Sequence, residues 1–114
     1  MPSPTALTLR RLRAAGYTAV IAERRNHHAG ITQDLYGWQD VQAIRADKPG
    51  VLAVQVTSED HAADRLAKLL AAPSVRTWLQ AGNRAVVHGW VKRGGLWRLR
   101  ERWVNLFDFA EVIR

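Results

Sequence analysis

Asp40 opens one apolar run, and Gln55 and Thr57 interrupt the end of the next, "VLAVQVTS" at 51–58. Residues i and i+2 of a strand face the same way. An extended reading of that run therefore puts the Gln55 amide and the Thr57 hydroxyl on one face, where Asp40 on a neighbouring strand can join them. Polar groups inside a core are costly unless paired, so this grouping asks for a reason. Glu23 closes an earlier β-rich run, "YTAVIAE", and Asp34 lies in the loop leading to Asp40. Such an oxygen-rich set suits Mg²⁺ (or Mn²⁺), which takes near-octahedral oxygen ligands and keeps several waters. An ion held there would stabilise charge and activate water for phosphodiester hydrolysis. In this reading Asp40 is the main anionic ligand, Gln55 lends its neutral amide oxygen, and Asp34 and Glu23 complete the set. Each residue also has a plainer account: a strand-edge acid, two hydrogen-bonded sheet residues, a loop cap and a surface acid.

The elements that must position these residues are legible in outline. Ser3-Pro4 reads as an N-cap followed by proline at the first helical position. Leu7, Leu9 and Leu12 then give an amphipathic helix over 4–15, closed by Gly16. A strand follows over 17–23, then a polar loop over 24–37 containing Gly30 and Gly37. "QDVQAIRA" is a second strand, "DKPG" at 47–50 a turn, and 51–57 a third strand, apolar on both faces as a central strand should be. Ser58 offers an N-cap, with Glu59 and Asp60 where the helix dipole favours acids. Ala62, Leu66, Leu69 and Leu70 follow at helical spacing until Pro73. A short helical piece reaches Gly82, and strands follow over 84–92 and 96–105. The tail 106–114 is left open. The order α-β-β-β-α-β-β predicts one α/β domain over 1–114, with a mixed sheet and helices on both faces.

This order, with an acid opening the second strand and polar positions two apart late on the third, resembles the PD-(D/E)XK nuclease superfamily. That group includes archaeal-type Holliday junction resolvases and restriction endonucleases, and the stretches "DLYGWQD", "VLAVQVTS" and "VVHGW" look similar to its small phage and bacterial members. The resemblance covers roughly residues 4–92 and implies an α-β-β-β-α-β core with an additional C-terminal strand. It assigns Asp40 to the motif's Asp, and it sets Gln55-Val56-Thr57 where the carboxylate-x-Lys should stand. Thr57 cannot supply the lysine's positive charge. Some branches carry that lysine on the following helix, which makes Lys68 the candidate. The resolvase branch takes an extra Glu from its first helix; none occurs there in this chain, and Glu23 is the substitute by analogy.

Composition narrows the partners. Lys and Arg total 17 against 10 acids in 114 residues, a net charge of +7. Most of the basic residues are Arg, whose planar fork suits phosphate. A polyanion, most often nucleic acid, is the expected partner. "LWRLRERW" places Arg98, Arg100 and Arg102 on one face of a strand and Trp97, Leu99 and Trp103 on the other. Three arginines about 6.6 Å apart suit a phosphate track, and equally a solvated edge strand protected from aggregation. Arg24-Arg25 and Arg10, Arg11 and Arg13 could extend it. Of the five tryptophans, Trp38 beside the proposed site is the candidate for base stacking; Trp78 and Trp90 read as core.

Other chemistries find no footing. No cysteine is present, so disulfides and thiolate metal sites are excluded. The four histidines, His27, His28, His61 and His88, form no zinc spacing; His88 reads as structural, and His27-His28 as loop residues near Asp34 that could touch DNA. No glycine-rich phosphate loop or nucleophile elbow occurs. No run is apolar enough to span a membrane, and the first residues lack a signal-peptide core, so a cytoplasmic location is expected. The expectation is a metal-dependent endonuclease acting on DNA, in particular branched DNA, as a two-fold homodimer. The alternative is a catalytically silent nucleic-acid-binding or assembly module that keeps the fold.

Overall fold

The computed structural model describes residues 2–26, 28 and 30–109. Helix α1 spans Pro4–Ala14. Ser3 Oγ accepts from the Ala6 N–H at 3.1 Å, as its capping role requires, and Gly16, at φ +92°, turns the chain out of the helix. Strand β1 is Thr18–Ile21. The stretch expected to be a plain loop holds a small hairpin: β2, Arg24–Asn26, pairs antiparallel with β3, Ile31–Gln33. Its polar composition hid the β-formers Ile31 and Thr32. Strand β4 is Val41–Arg45 and β5 is Lys48–Ser58. The turn is therefore tighter than "DKPG" suggested, because Arg45 pairs directly with Lys48. Pro49 and Gly50 lie in the exposed start of β5. Gly50, at φ +75°, is required there, since a Cβ would collide with the Gly82 carbonyl.

A 3₁₀ turn, Glu59–His61, leads into α2, Ala62–Ala71. Helix α3, Pro73–Gln80, follows directly. Strands β6, Arg84–Arg93, and β7, Leu96–Val104, form a long hairpin, and a second 3₁₀ turn covers Leu106–Phe109. The sheet order is β1-β4-β5-β6-β7. β5 and β6 run parallel through the α2–α3 crossover, and the other neighbours are antiparallel. The mixed sheet follows from chain geometry: short turns join antiparallel neighbours, whereas a helical crossover returns the chain parallel.

Helices cover both faces. On one, α1 packs Leu12 against Ala19, Val41, Ala43, Leu52, Val54 and Val86. On the other, α2 and α3 bring Leu69 and Val75 against Ala53, Ala85 and Val87. Strand alternation does the sorting. Val54 faces α1, so Ala53, Gln55 and Thr57 face the α2 side. Gly89 is paired with Thr57, and its bare Cα lets the crossover approach: a Cβ there would lie 3.2 Å from both Ala62 Cβ and Glu59 Cα. On the α1 side, His88 is buried with its partners, Thr8 Oγ1 at 3.1 Å from Nδ1 and Glu101 Oε2 at 3.4 Å from Nε2. Trp90 Nε1 donates to the same Thr8 hydroxyl at 2.9 Å. His88 is a structural residue, as its sequence context predicted.

Candidate metal centre

Strand pairing builds the site. Asp40 directly precedes β4 and continues its ladder on both sides: the Ala22 N–H donates to its carbonyl at 2.8 Å, and its own N–H donates to the Val54 carbonyl at 2.9 Å. Glu23 stands just beyond the end of β1, the strand antiparallel to β4, and so arrives beside Asp40. Asp34 follows β3 and opens a tight loop closed by reciprocal backbone hydrogen bonds between Leu35 and Gln39, at 3.0 and 2.9 Å. One carboxylate oxygen from each of Glu23, Asp34 and Asp40 lies within 4.8 Å of the other two. Gln55, from the centre of β5, reaches into this group. Its Nε2 donates to Asp40 Oδ2 at 2.7 Å and approaches Asp34 Oδ2 at 3.4 Å. The Val56 N–H donates to the same Asp40 oxygen at 2.7 Å.

Two features mark this cluster as more than surface acidity. Gln55 is 2 % exposed, yet its Oε1 is buried without a hydrogen-bond partner; such an orphan is costly and invites a ligand. Second, the Asp40 carboxyl is pushed up to about 7, by burial first, then by its hydrogen bond with Asp34 and the charges of Asp34 and Glu23, against the lowering effect of the Val56 N–H. Burial and like charge both disfavour a further anion. A divalent cation relieves that repulsion, and the donors fit one: three carboxylates and an amide oxygen are hard ligands. Glu23, Asp34, Asp40 and the Gln55 amide oxygen would be the residues to hold such an ion, after their oxygens draw closer together.

The remaining candidates distribute as follows. Thr57 is buried on the same face as Gln55. Lys68, exposed on α2, lines a cleft of about 450 Å³ together with Gln33, Asp34 and Gly37. The helix thus delivers a lysine to the Asp34 side of the cluster. Arg98, Arg100 and Arg102 share one face of β7, opposite Val91, Gly89 and Val87. Arg100 lies 3.7 Å from Glu59, which Arg93 also approaches at 3.5 Å. Arg102 is half-buried, so Arg98 and Arg100 are the more open pair. Arg24 and Arg25 lie on β2, the strand that follows Glu23. His27 falls outside the described residues.

Trp38 requires a correction. It is 1 % exposed, packs edge-on against Trp78 with ring centroids 5.9 Å apart, and donates through Nε1 to Ser74 Oγ at 3.1 Å. It is a core residue and presents no ring to a nucleic acid. Trp78, expected in the core, is partly buried and packs against it, and its other side lines a cleft with Tyr36. Sequence reasoning also passed over the Val56 N–H, which is a backbone group and leaves no side-chain signal. Gln42, whose Nε2 donates to Gln39 Oε1 at 2.6 Å next to Asp40, was hidden in a run read only as a strand. No protein-family model, curated protein or solved structure matches the chain.

Proposed function

We propose that the chain is a metal-dependent DNA endonuclease that hydrolyses phosphodiester bonds, acting on branched DNA in the manner of a Holliday junction resolvase. The observation that carries this reading is the convergence of Glu23, Asp34 and Asp40 beside Gln55, whose Nε2 meets the acids and whose Oε1 is buried without a partner. The resemblance to the PD-(D/E)XK superfamily supports the same reading through Asp40, with Glu23 carried over by analogy. Asp40, Asp34, Glu23 and the Gln55 amide oxygen would hold Mg²⁺ or Mn²⁺. The ion would supply Lewis-acid stabilisation of the phosphoryl oxygens and an acidified water. Asp40 gives up its proton on loading. Lys68, at the mouth of the cleft beside Asp34, takes the place of the motif lysine and orients the attacking water with its ammonium group. Thr57 holds a hydroxyl on the same face. Arg98 and Arg100, with Arg24 and Arg25, position the phosphate backbone without reading sequence. A two-fold homodimer would provide the paired cuts that a junction needs, and a cytoplasmic site of action goes with this reading.

One observation favours a second reading, a catalytically inactive nucleic-acid-binding or assembly module. The Gln55 Nε2 donates into the acid cluster, to Asp40 at 2.7 Å and towards Asp34 at 3.4 Å, and Gln55-Val56-Thr57 replaces the charged motif. Cleavage of labelled four-way junction, flap, duplex and single-stranded DNA with Mg²⁺ or Mn²⁺, beside Asp40→Ala, separates the two. Cutting by the parent that is lost in the variant and in chelator is the expected result. Salt-sensitive binding with no cutting under any condition would leave the binding module.

A further inference from the structure

Tyr36 and Trp78 line a cleft of about 420 Å³ with Ser74, Thr77, Ala81 and Asn83, within the size range of small-molecule sites. The two rings stand 6.4 Å apart, tilted by 58°. Trp78 is fixed from behind: its Nε1 donates to the Arg84 carbonyl at 2.7 Å, and the Trp38 ring meets it edge-on. Tyr36 is 64 % exposed and sits at φ +56°, the one described non-glycine residue with a positive φ. A bulky aromatic in the left-handed region is rare and carries strain. Neighbouring Gly37, at φ +80°, already shares the turn, and a glycine at 36 would adopt this conformation without strain. The Tyr36 ring is held there against Trp78 while staying largely in solvent.

The same loop ties this cleft to the acid cluster. Asp34 and Tyr36 are two residues apart, so their Cα atoms lie within about 7.6 Å. The Gly37 N–H donates to the Asp34 carbonyl at 2.9 Å and holds the loop tight. We propose that the Tyr36–Trp78 cleft takes an unstacked nucleobase of a DNA strand whose neighbouring phosphate lies at the acid cluster. The inference rests on the nuclease reading for the role of that phosphate, but the base contact itself needs no metal. Aromatic platforms bind bases through their π-faces with little regard to sequence. The cleft therefore selects strands with an unpaired base, at ends, flaps and junction centres, over continuous duplex. A proline-rich peptide would suit two such rings as well; the net charge of +7 favours the polyanion.

Tyr36→Gly gives a clean test, because it removes the ring and relieves the positive φ, so the fold is retained. Binding of a fluorescent single-stranded oligonucleotide and of a blunt duplex of equal length is measured in chelator. A base contact is worth about 1–3 kcal/mol, so Tyr36→Gly should weaken single-strand binding about 5- to 150-fold and leave duplex binding unchanged. An abasic position in an otherwise bound strand should weaken the parent and not the variant. Trp78→Phe should weaken single-strand binding less than Tyr36→Gly does. Unchanged single-strand affinity in Tyr36→Gly, an equal loss for both DNAs, or binding of a proline-rich peptide in place of DNA would overturn the inference. A parallel cleavage assay separates the two claims. Strand-selective loss of binding with no cutting by the parent removes the nuclease reading alone; cutting with unchanged strand binding removes the base cleft alone.

Discussion

Gln55 Nε2 donates to Asp40 Oδ2 at 2.7 Å while the other atom of the same amide, Oε1, is buried with no partner. The amide is thus turned so that its donor, not its acceptor, neutralises the acids. On the proposed metal-binding reading, cation loading would reverse that preference, with Oε1 as the ligand and Nε2 turned away.

Gln55→Glu tests this directly. It places a carboxylate at the position where the PD-(D/E)XK motif carries one, and it adds a fourth acid to a crowded cluster. The variant should melt several degrees below the parent in chelator at pH 8, since buried like charges repel. In Mn²⁺ it should recover, and its Mn²⁺ affinity by calorimetry should be about tenfold tighter than the parent's, or ~1.4 kcal/mol. Equal Mn²⁺ affinity in the two proteins would mean that Gln55 does not face the ion.

Asp40→Asn addresses pH. The Asp40 carboxyl is raised from 3.8 to about 7 in the folded chain. Between those values the folded state binds more protons than the unfolded state, so the stability contributed by protonated Asp40 is full below about pH 4 and is lost as pH rises through about 7. His88 slopes the other way: burial lowers it, Glu101 opposes and Arg11 assists, so its contribution is lost as pH falls below its unfolded value. The difference between parent and Asp40→Asn isolates the first effect. In chelator, the variant should gain stability relative to the parent as pH rises from 4 to 7. The parent's Mn²⁺ affinity should increase over the same range, because metal displaces the proton, and the variant should show neither trend. A flat difference across that range would contradict the raised Asp40.

Much of the architecture was legible because local signals agreed with one another. Ser3-Pro4, Gly16, the apolar run 51–57 and the Leu66–Leu69–Leu70 spacing each specify an element whose partner the others supply. Asp40, Gln55 and Thr57 could be grouped because strand parity is fixed at two residues. The hairpin of β2 and β3 was not legible, since five polar residues and a single Ile31 do not state that they pair. The relative burial of Trp38 and Trp78 was not legible, because composition marks both as large and apolar. Only the packing of α3 decides which ring is enclosed, and that depends on contacts distant in sequence.

Thr8→Val probes the α1 side of the sheet. Thr8 Oγ1 serves both His88 Nδ1, at 3.1 Å, and Trp90 Nε1, at 2.9 Å. Valine keeps the volume and leaves two buried polar groups unpartnered, at about 1–3 kcal/mol each. Urea unfolding should show a loss of roughly 2–6 kcal/mol. Mn²⁺ affinity should be unchanged, because the acid cluster opens on the other face.

Gly89→Ala should separate fold from site in the opposite sense. The new methyl would meet Ala62 Cβ and Glu59 Cα at 3.2 Å, and the crossover into α2 must lift to admit it. Overpacking of this kind costs about 1–3 kcal/mol. The shift would carry Lys68 away from Asp34 while Glu23, Asp34, Asp40 and Gln55 stay in place on β-strand ends and loop. Mn²⁺ binding should therefore persist while cleavage falls. Parallel loss of both would show that the acids depend on the α2 position.

Lys68 itself supplies the sharpest contrast. It is exposed and lines the cleft with Asp34, so Lys68→Ala removes no core contact and its melting temperature should match the parent's within a degree or two. If its ammonium group orients the attacking water, Lys68→Ala should lower kcat about 10²-fold or more with little change in DNA affinity. Lys68→Arg retains the charge but not the compact ammonium, and should recover only part of the rate. A variant that lost affinity and kept kcat would instead make Lys68 a phosphate contact. In that case Lys68 would not stand in for the motif lysine, and the charge missing from Gln55-Val56-Thr57 would have to come from another residue.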